Sequence, residues 1–304
     1  MINFENWKYW VDHPANPLII PKRPEWIIGD PAVVLPNESP DGKWHLFAHG
    51  ILFGIEHFIS TNGVEWINTH HKLDRGGMRA YVYKEGEKFY IFYERELNIT
   101  ISCIFVREST DLFTWSEPRR ILKPKLIWEG RSNRKLGCPC VIKTEDKYRL
   151  YYAGGNVFLW DCLFFEPKYI GVAEAENIHG PYKKSPRPII APSKKHPYRN
   201  FASGGLKVLK IGDLWIGFNN GIYKQGRWRN RSSILLLKSE DGLKWTDVFD
   251  YPIIYPTTGW KRSFVYQLDV KKVGNEYWLY YNARDGWCFG IEGIGLAKLQ
   301  SKLK

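Results

Sequence analysis

Asp30, in the stretch IIGDPAVVL, places a carboxylate at the start of an apolar run. Other chemistry-bearing side chains stand at similar starts. Arg79 opens RGGMRAYVY, and Arg134 with Lys135 precedes the run in RSNRKLGCPCV. Asn200 and Ser203 open NFASGGLKV, and Arg262, Tyr266 and Gln267 open GWKRSFVYQLDV. The aromatic segments that follow these runs end on His49, on Glu94 with Arg95, on Asn219 with Asn220, and on Arg284 with Asp285. A carboxylate can move a proton or attack an electrophile. Arg holds a carboxylate, phosphate or sulfate in a bidentate fork. Both side chains also have purely structural uses: Asp30 can cap a strand start, and Glu94 can pair with Arg79 or Arg95.

What brings these residues together must be the elements that carry them. Five polar turns lead into aromatic, alternating segments: DGKWHLFAHG, GEKFYIFYER, EDKYRLYYAGG, IGDLWIGFNNG and GNEYWLYYNAR. Each follows an apolar run (DPAVVL, RAYVYK, PCVIK, GLKVLK, YQLDVKKV), so each pair predicts a β-hairpin. A third strand follows in every unit: GIEHFIS, SCIFVRES, YIGVAEA, SILLLKS and GIGLAKL. Three of these run into a repeated stretch, STNGVEW (60–66), STDLFTW (109–115) and SEDGLKW (239–245). In the third unit NIHGPY takes that place. The repeat predicts a tight turn followed by a Trp that begins an outer strand and packs between units. RRILKP, RPIIAP and YPIIYP come next, with a matching NPLIIP before the first unit.

The anchors Trp44, Phe89, Tyr148, Leu214 and Tyr277 are spaced by about 45 to 66 residues, the sign of a β-propeller. Five units of four antiparallel strands predict an all-β, five-bladed propeller forming a single domain over residues 1–304. Its inner strands converge on an axis, so the residues above ring one end of a central funnel, where function on such a fold belongs. The third unit has a longer loop at that end, GGNVFLWDCLFFEPKY, whose aromatics and Asp161 are placed to wall a cleft.

Bulk properties narrow the field. The chain has 304 residues, 14 Trp, 18 Tyr and a formal charge of +12. Wide rings suit sheet packing and sugar clefts alike. The positive balance favours an acidic partner, but no nucleic-acid-binding signature accompanies it. The five Cys lack a disulfide framework, and Cys138 and Cys140, alternating on one strand face, read as buried thiols. The start of the chain lacks a signal-peptide pattern, and no apolar run is long enough to span a membrane. The expectations are therefore a cytoplasmic protein with no cofactor, no nucleic-acid partner and no membrane partner.

With GDPAVV at the first inner strand, YIGVAEAENIHGPY in the third unit and NARDGWCFGIEGIGLA near the end, nearly the whole chain resembles one superfamily. It is that of the five-bladed β-propeller glycoside hydrolases, which includes arabinanases, β-xylosidases, invertases, levansucrases and mannoside phosphorylases. The resemblance implies that Asp30 is the base or nucleophile for a glycosidic bond. It also implies a second carboxylate at a later strand start, yet those strands open GGMRAY, LGCPCV and SGGLKV. Gly137-Cys138-Pro139 stands where fructoside-cleaving relatives have Glu-Cys-Pro. Glu94 and Asp285 are then the candidate acids, with Asp161 a further loop candidate. Arg79, Arg134, Lys135, Arg262, Tyr266, Gln267, His49, Asn219, Arg284 and Asp161 are the candidate substrate contacts. The implied ligand is a carbohydrate, either anionic or accompanied by phosphate. Some relatives hold an axial metal beside a His of the last blade; His196 is the last His here, so no metal is expected. Two alternatives stay open: a propeller that binds carbohydrate without catalysis, and a scaffold that uses its basic face.

Overall fold

Period-two alternation of apolar and polar residues buries one face of each strand against its neighbour sheet. In the computed structural model, which describes residues 3–226 and 229–300, five sheets of four antiparallel strands result. The chain is an all-β five-bladed propeller, with no α-helix among the described residues. The inner strands are Gly29–Val34, Gly77–Glu85, Leu136–Lys143, Ala202–Ile211 and Phe264–Val273, one for each of blades 1 to 5. Blades 1 to 4 are each built from consecutive strands. Blade 5 is completed by Trp10–Asp12, which pairs antiparallel with the third strand Glu292–Leu299 and so joins the two ends of the chain.

The repeated stretch makes the same turn three times. Ser60 Oγ accepts from the backbone N–H groups of Asn62 and Gly63, while Asn62 Oδ1 accepts from those of Val64 and Glu65. Ser109 with Asp111, and Ser239 with Asp241, repeat the pattern. The fourth residue has positive φ in every copy: Gly63 (73°), Leu112 (67°) and Gly242 (69°). Leu112 bears the strain of that region but is fully buried in an inter-blade core. Each turn docks on the preceding blade. Tyr280 donates its hydroxyl hydrogen to Gly63 O at 2.8 Å, and Tyr151 to Gly242 O at 2.9 Å. The Trp of each copy packs edge-on against that blade's second strand, Trp66 on Tyr280, Trp115 on Phe47 and Trp245 on Tyr151. The related proline-flanked stretches work alike: Ile19, Ile190 and Ile254 each bridge the third strand of a blade.

Five inner strands also share one irregularity. The pairing of inner and second strands slips between Gly29 and Ala32, Met78 and Tyr81, Gly137 and Cys140, Ser203 and Gly205, and Val265 and Leu268. A bulge re-aims the side chains it carries. Asp30, Arg79 and Cys138 occupy equivalent bulges with φ of 52°, 53° and 50°. In blade 3 the residue carried by the bulge is Cys138, where the sequence pointed to Arg134 and Lys135. Cys140 is the first residue paired after the bulge, and both thiols enter one buried cluster. Both thiols are buried and free.

Candidate active site

The bulges of blades 1, 2 and 5 open onto a cavity of about 300 Å³ at one end of the axis. That lies at the lower end of the range for small-ligand pockets. Asp30, Arg79, Tyr266 and Gln267 reach it from inner strands, and His49, Asn220, Asn282 and Arg284 from second strands. Glu166 and Glu292 come from third strands, and Lys135 and Glu96 stand at the edge.

Asp30 is held firmly. His49 Nδ1 is 3.0 Å from its Oδ2, and its own backbone N–H donates to Asn282 Oδ1 at 3.1 Å. Burial pushes the Asp30 carboxyl up, but His49, Arg79 and Lys207 more than offset this and leave it below the usual aspartate value. Asp30 is thus an anion at neutral pH.

Two further carboxyls behave oppositely. Burial pushes Glu166 up to about 7; Arg79 opposes the rise and the negative Asp30 adds to it. Burial pushes Glu292 up to about 8, with Arg284 opposing and Asp30 adding. Glu292 is further engaged by the side-chain amide of Asn282. Glu166 makes no hydrogen bond among the described residues; its closest cation is Arg79 Nη2 at 3.8 Å. Its carboxyl is therefore protonated below neutrality and free to donate.

Blade 3 supplies Glu166 through a long hairpin, not an irregular loop. Tyr148–Leu159 and Phe164–Ala175 stay paired to the tip, with Val157 opposite Glu166. The tip reaches across to blades 4 and 5. Leu159 and Cys162 pack with Ala202, Ile222, Phe264 and Tyr266. Asp161 accepts from both the backbone N–H and the Nδ2 of Asn230. Asp161 accordingly anchors the hairpin and does not line the cavity, whereas Phe164 and Phe165 do.

The other carboxylates named from sequence sit elsewhere. Glu94 is fully buried behind Arg79, 2.8 Å from Nη1, and accepts from Ser102 at 2.7 Å. Its place follows from the glycine of blade 3: a Cβ at Gly137 would lie 2.0 Å from Glu94 Oε2. The space of a side chain at 137 is filled by the carboxylate of a neighbouring blade, and that carboxylate fixes Arg79. Asp285 accepts from the backbone of Ile291 outside the lining. Arg134 and Arg262 are exposed and donate to the carbonyls of Arg131 and Asp285. Asn219 is buried, donating to Ser203 and Gly205. Lys135 pairs with Glu96 at the cavity edge.

We expect Gly137→Ala to displace Glu94, lowering stability by about 1–3 kcal/mol. It should also weaken any ligand that contacts Arg79. Denaturant melts and ligand titration of the variant read both effects.

Among the described residues no group of three or more His, Cys, Asp or Glu side chains is arranged to hold a metal ion. Lys207 lies beside Asp30 and Arg79, its Nζ donating to Pro139 O at 2.9 Å.

No family model and no curated protein matches the chain. Solved structures do. An α-L-arabinofuranosidase from Podospora anserina, in complex with cellotriose, superposes with a TM-score of 0.71 at 13% identity, covering 96% of each chain. The fold is that of the five-bladed propeller glycoside hydrolases. A structure described for the GH130 family, with glycoside hydrolases that target β-1,2 mannosidic linkages in Candida mannan, gives 0.68 at 13% identity, covering 95% of this chain and 93% of that one. An N-acetylgalactosamine deacetylase from F. plautii, in complex with blood group B trisaccharide, gives 0.67 at 12% identity with the same coverage. This propeller thus serves more than one chemistry, and the activity must be argued from the cavity.

Proposed function

We propose that the protein is a glycoside hydrolase, with Asp30 as base or nucleophile and Glu166 as general acid. One observation carries this reading: a single cavity holds one carboxyl biased towards its anion and another biased towards its acid. Glycoside hydrolysis needs that division, because the leaving oxygen must gain a proton while a carboxylate attacks or activates water. His49 orients Asp30, and Arg79 is positioned by Glu94. A propeller that only binds sugar has no need of two carboxyls kept in opposite states.

The acceptor we propose is water. Arg79 is already paired with Glu94 and Lys135 with Glu96. These pairs leave neither cation free for inorganic phosphate. A panel of aryl glycosides, assayed with and without inorganic phosphate, tests this. Release of the aryl group in phosphate-free buffer is expected. Turnover that required phosphate would replace hydrolysis by phosphorolysis, and no turnover on any sugar that demonstrably binds would leave a binding propeller.

A further inference from the structure

Strand direction sorts the loops of this propeller onto two ends, and charge sorts with them. The cavity end carries the turns between second and third strands and the segments leading into inner strands, since Gly29 pairs with His49 and Gly50 with Gly54 beside the cavity. Exposed Arg23, Arg75, Lys125, Arg131, Arg134 and Lys224 stand in those segments, and none makes an ion pair among the described residues. Of the carboxylates in the same segments Glu96 and Asp250 are exposed, and Lys135 neutralises Glu96. The opposite end, where inner strands turn into second strands, sets exposed Glu87, Glu145, Asp146, Asp213 and Glu276 among exposed Lys43, Lys84, Lys88, Lys143, Lys210 and Lys272. That end is therefore mixed in charge, whereas the mouth carries a surplus of cations.

The same mouth exposes most of the large apolar side chains that this protein leaves in water. Ile99 (85%), Ile127 (80%), Trp160 (80%), Leu163 (60%), Phe289 (94%) and Ile291 (52%) sit at or beside its loop tips. They come from blades 2, 3 and 5. Scattered exposed apolar residues are ordinary on any surface; a set gathered mostly at one end, in the same segments as a surplus of cations, is not. Apolar groups a few ångströms deep in an acyl boundary, with Lys and Arg at headgroup level, are how proteins lie on an anionic bilayer.

We propose that the mouth of the funnel docks on an anionic membrane surface, the tips inserting and the basic rim meeting lipid headgroups. Charge decides against a second copy of this chain as the occupant, because that contact would oppose one cationic rim to another. Apolar tips decide against a soluble polyanion, which offers nothing to bury them. The reading departs from the expectation of no membrane partner, and it does not depend on what the cavity catalyses.

Co-sedimentation of the full chain with vesicles tests it. Phosphatidylcholine vesicles containing about 30 mol% phosphatidylglycerol should retain the protein, and phosphatidylcholine alone should not. The triple variant Ile99→Ser, Trp160→Ser, Phe289→Ser changes only exposed tips outside the cavity lining, so its melting temperature should match the parent. It should lose about 10-fold or more in partition onto the anionic vesicles. Equal binding of parent and variant would overturn the proposal in favour of a purely electrostatic, polyanion-type contact. Failure of the parent to distinguish the two vesicles would also overturn it. Concentration-dependent dimers abolished by the triple variant would overturn it in favour of self-association.

Discussion

Asp30→Asn is expected to lower kcat/KM by on the order of 10³-fold or more, while the protein still folds and still binds sugar. Two physical facts make this variant clean. Asp30 sits at φ 52°, a left-handed backbone that Asn tolerates as well as Asp does, so no new strain is introduced. The amide also keeps the shape that meets His49, and loses only the charge. The variant has a second, independent signature. The anion of Asp30 is one of the groups that hold Glu166 and Glu292 up, so neutralising it should bring both carboxyls down. Carboxyl titration by NMR with labelled Glu would follow this. Full activity of Asp30→Asn would remove Asp30 from the chemistry, and unshifted Glu166 would remove the coupling between them.

Glu166→Gln is expected to cost about 10² to 10⁴-fold on substrates with a poor leaving group and far less on activated aryl glycosides, which leave without a proton. The parent should lose kcat/KM as pH rises through about 7, because the acid is then ionised. The Gln variant should lose that alkaline limb. Stability should follow the same titration. The carboxyl is raised from 4.5 to about 7 in the folded protein, so its contribution is fully present below about 4.5 and is lost as pH rises through 7. At pH 8 the parent must hold a buried anion that Gln does not have. The variant should therefore be more stable there, by up to about 3 kcal/mol, and no more stable at pH 4. Thermal melts at the two pH values measure this. A variant destabilised equally at both would mean that Glu166 is a structural residue and not a buried acid.

These two residues divide what was legible in the sequence from what was not. Asp30 is readable because its signal is local: a carboxylate at the head of an apolar strand whose neighbours repeat along the chain. The blades are readable for the same reason. Turn chemistry and period-two alternation act over a few residues, and the Ser-x-(Asn/Asp)-Gly stretch states its own hydrogen bonds. The closure of blade 5 by Trp10–Asp12 had no such local mark, since that short strand is defined by the third strand it pairs with at the far end of the chain.

Glu166 and Glu292 had weaker signals that could have been used. Each is a lone carboxylate in an apolar setting, one in LFFEPKY and one in FGIEGIG, and a charge isolated in that way is buried or functional. Their roles still could not be assigned, because a carboxyl becomes an acid through its surroundings. Glu166 shares the cavity with Asp30 only because a hairpin of blade 3 is tied down by Asn230 and the Phe264–Tyr266 cluster of other blades. Glu94 was the more visible carboxylate, yet the missing side chain of Gly137 draws it behind Arg79 and out of the cavity.

The sequence by itself determined the propeller, its five blades and the ring of strand ends from which a site had to be drawn, since local periodicity and turn geometry suffice for those. Only the tertiary structure decided which carboxyls share a cavity and which of them keeps its proton, because burial and the charges that oppose it come from residues of several blades brought to one axis.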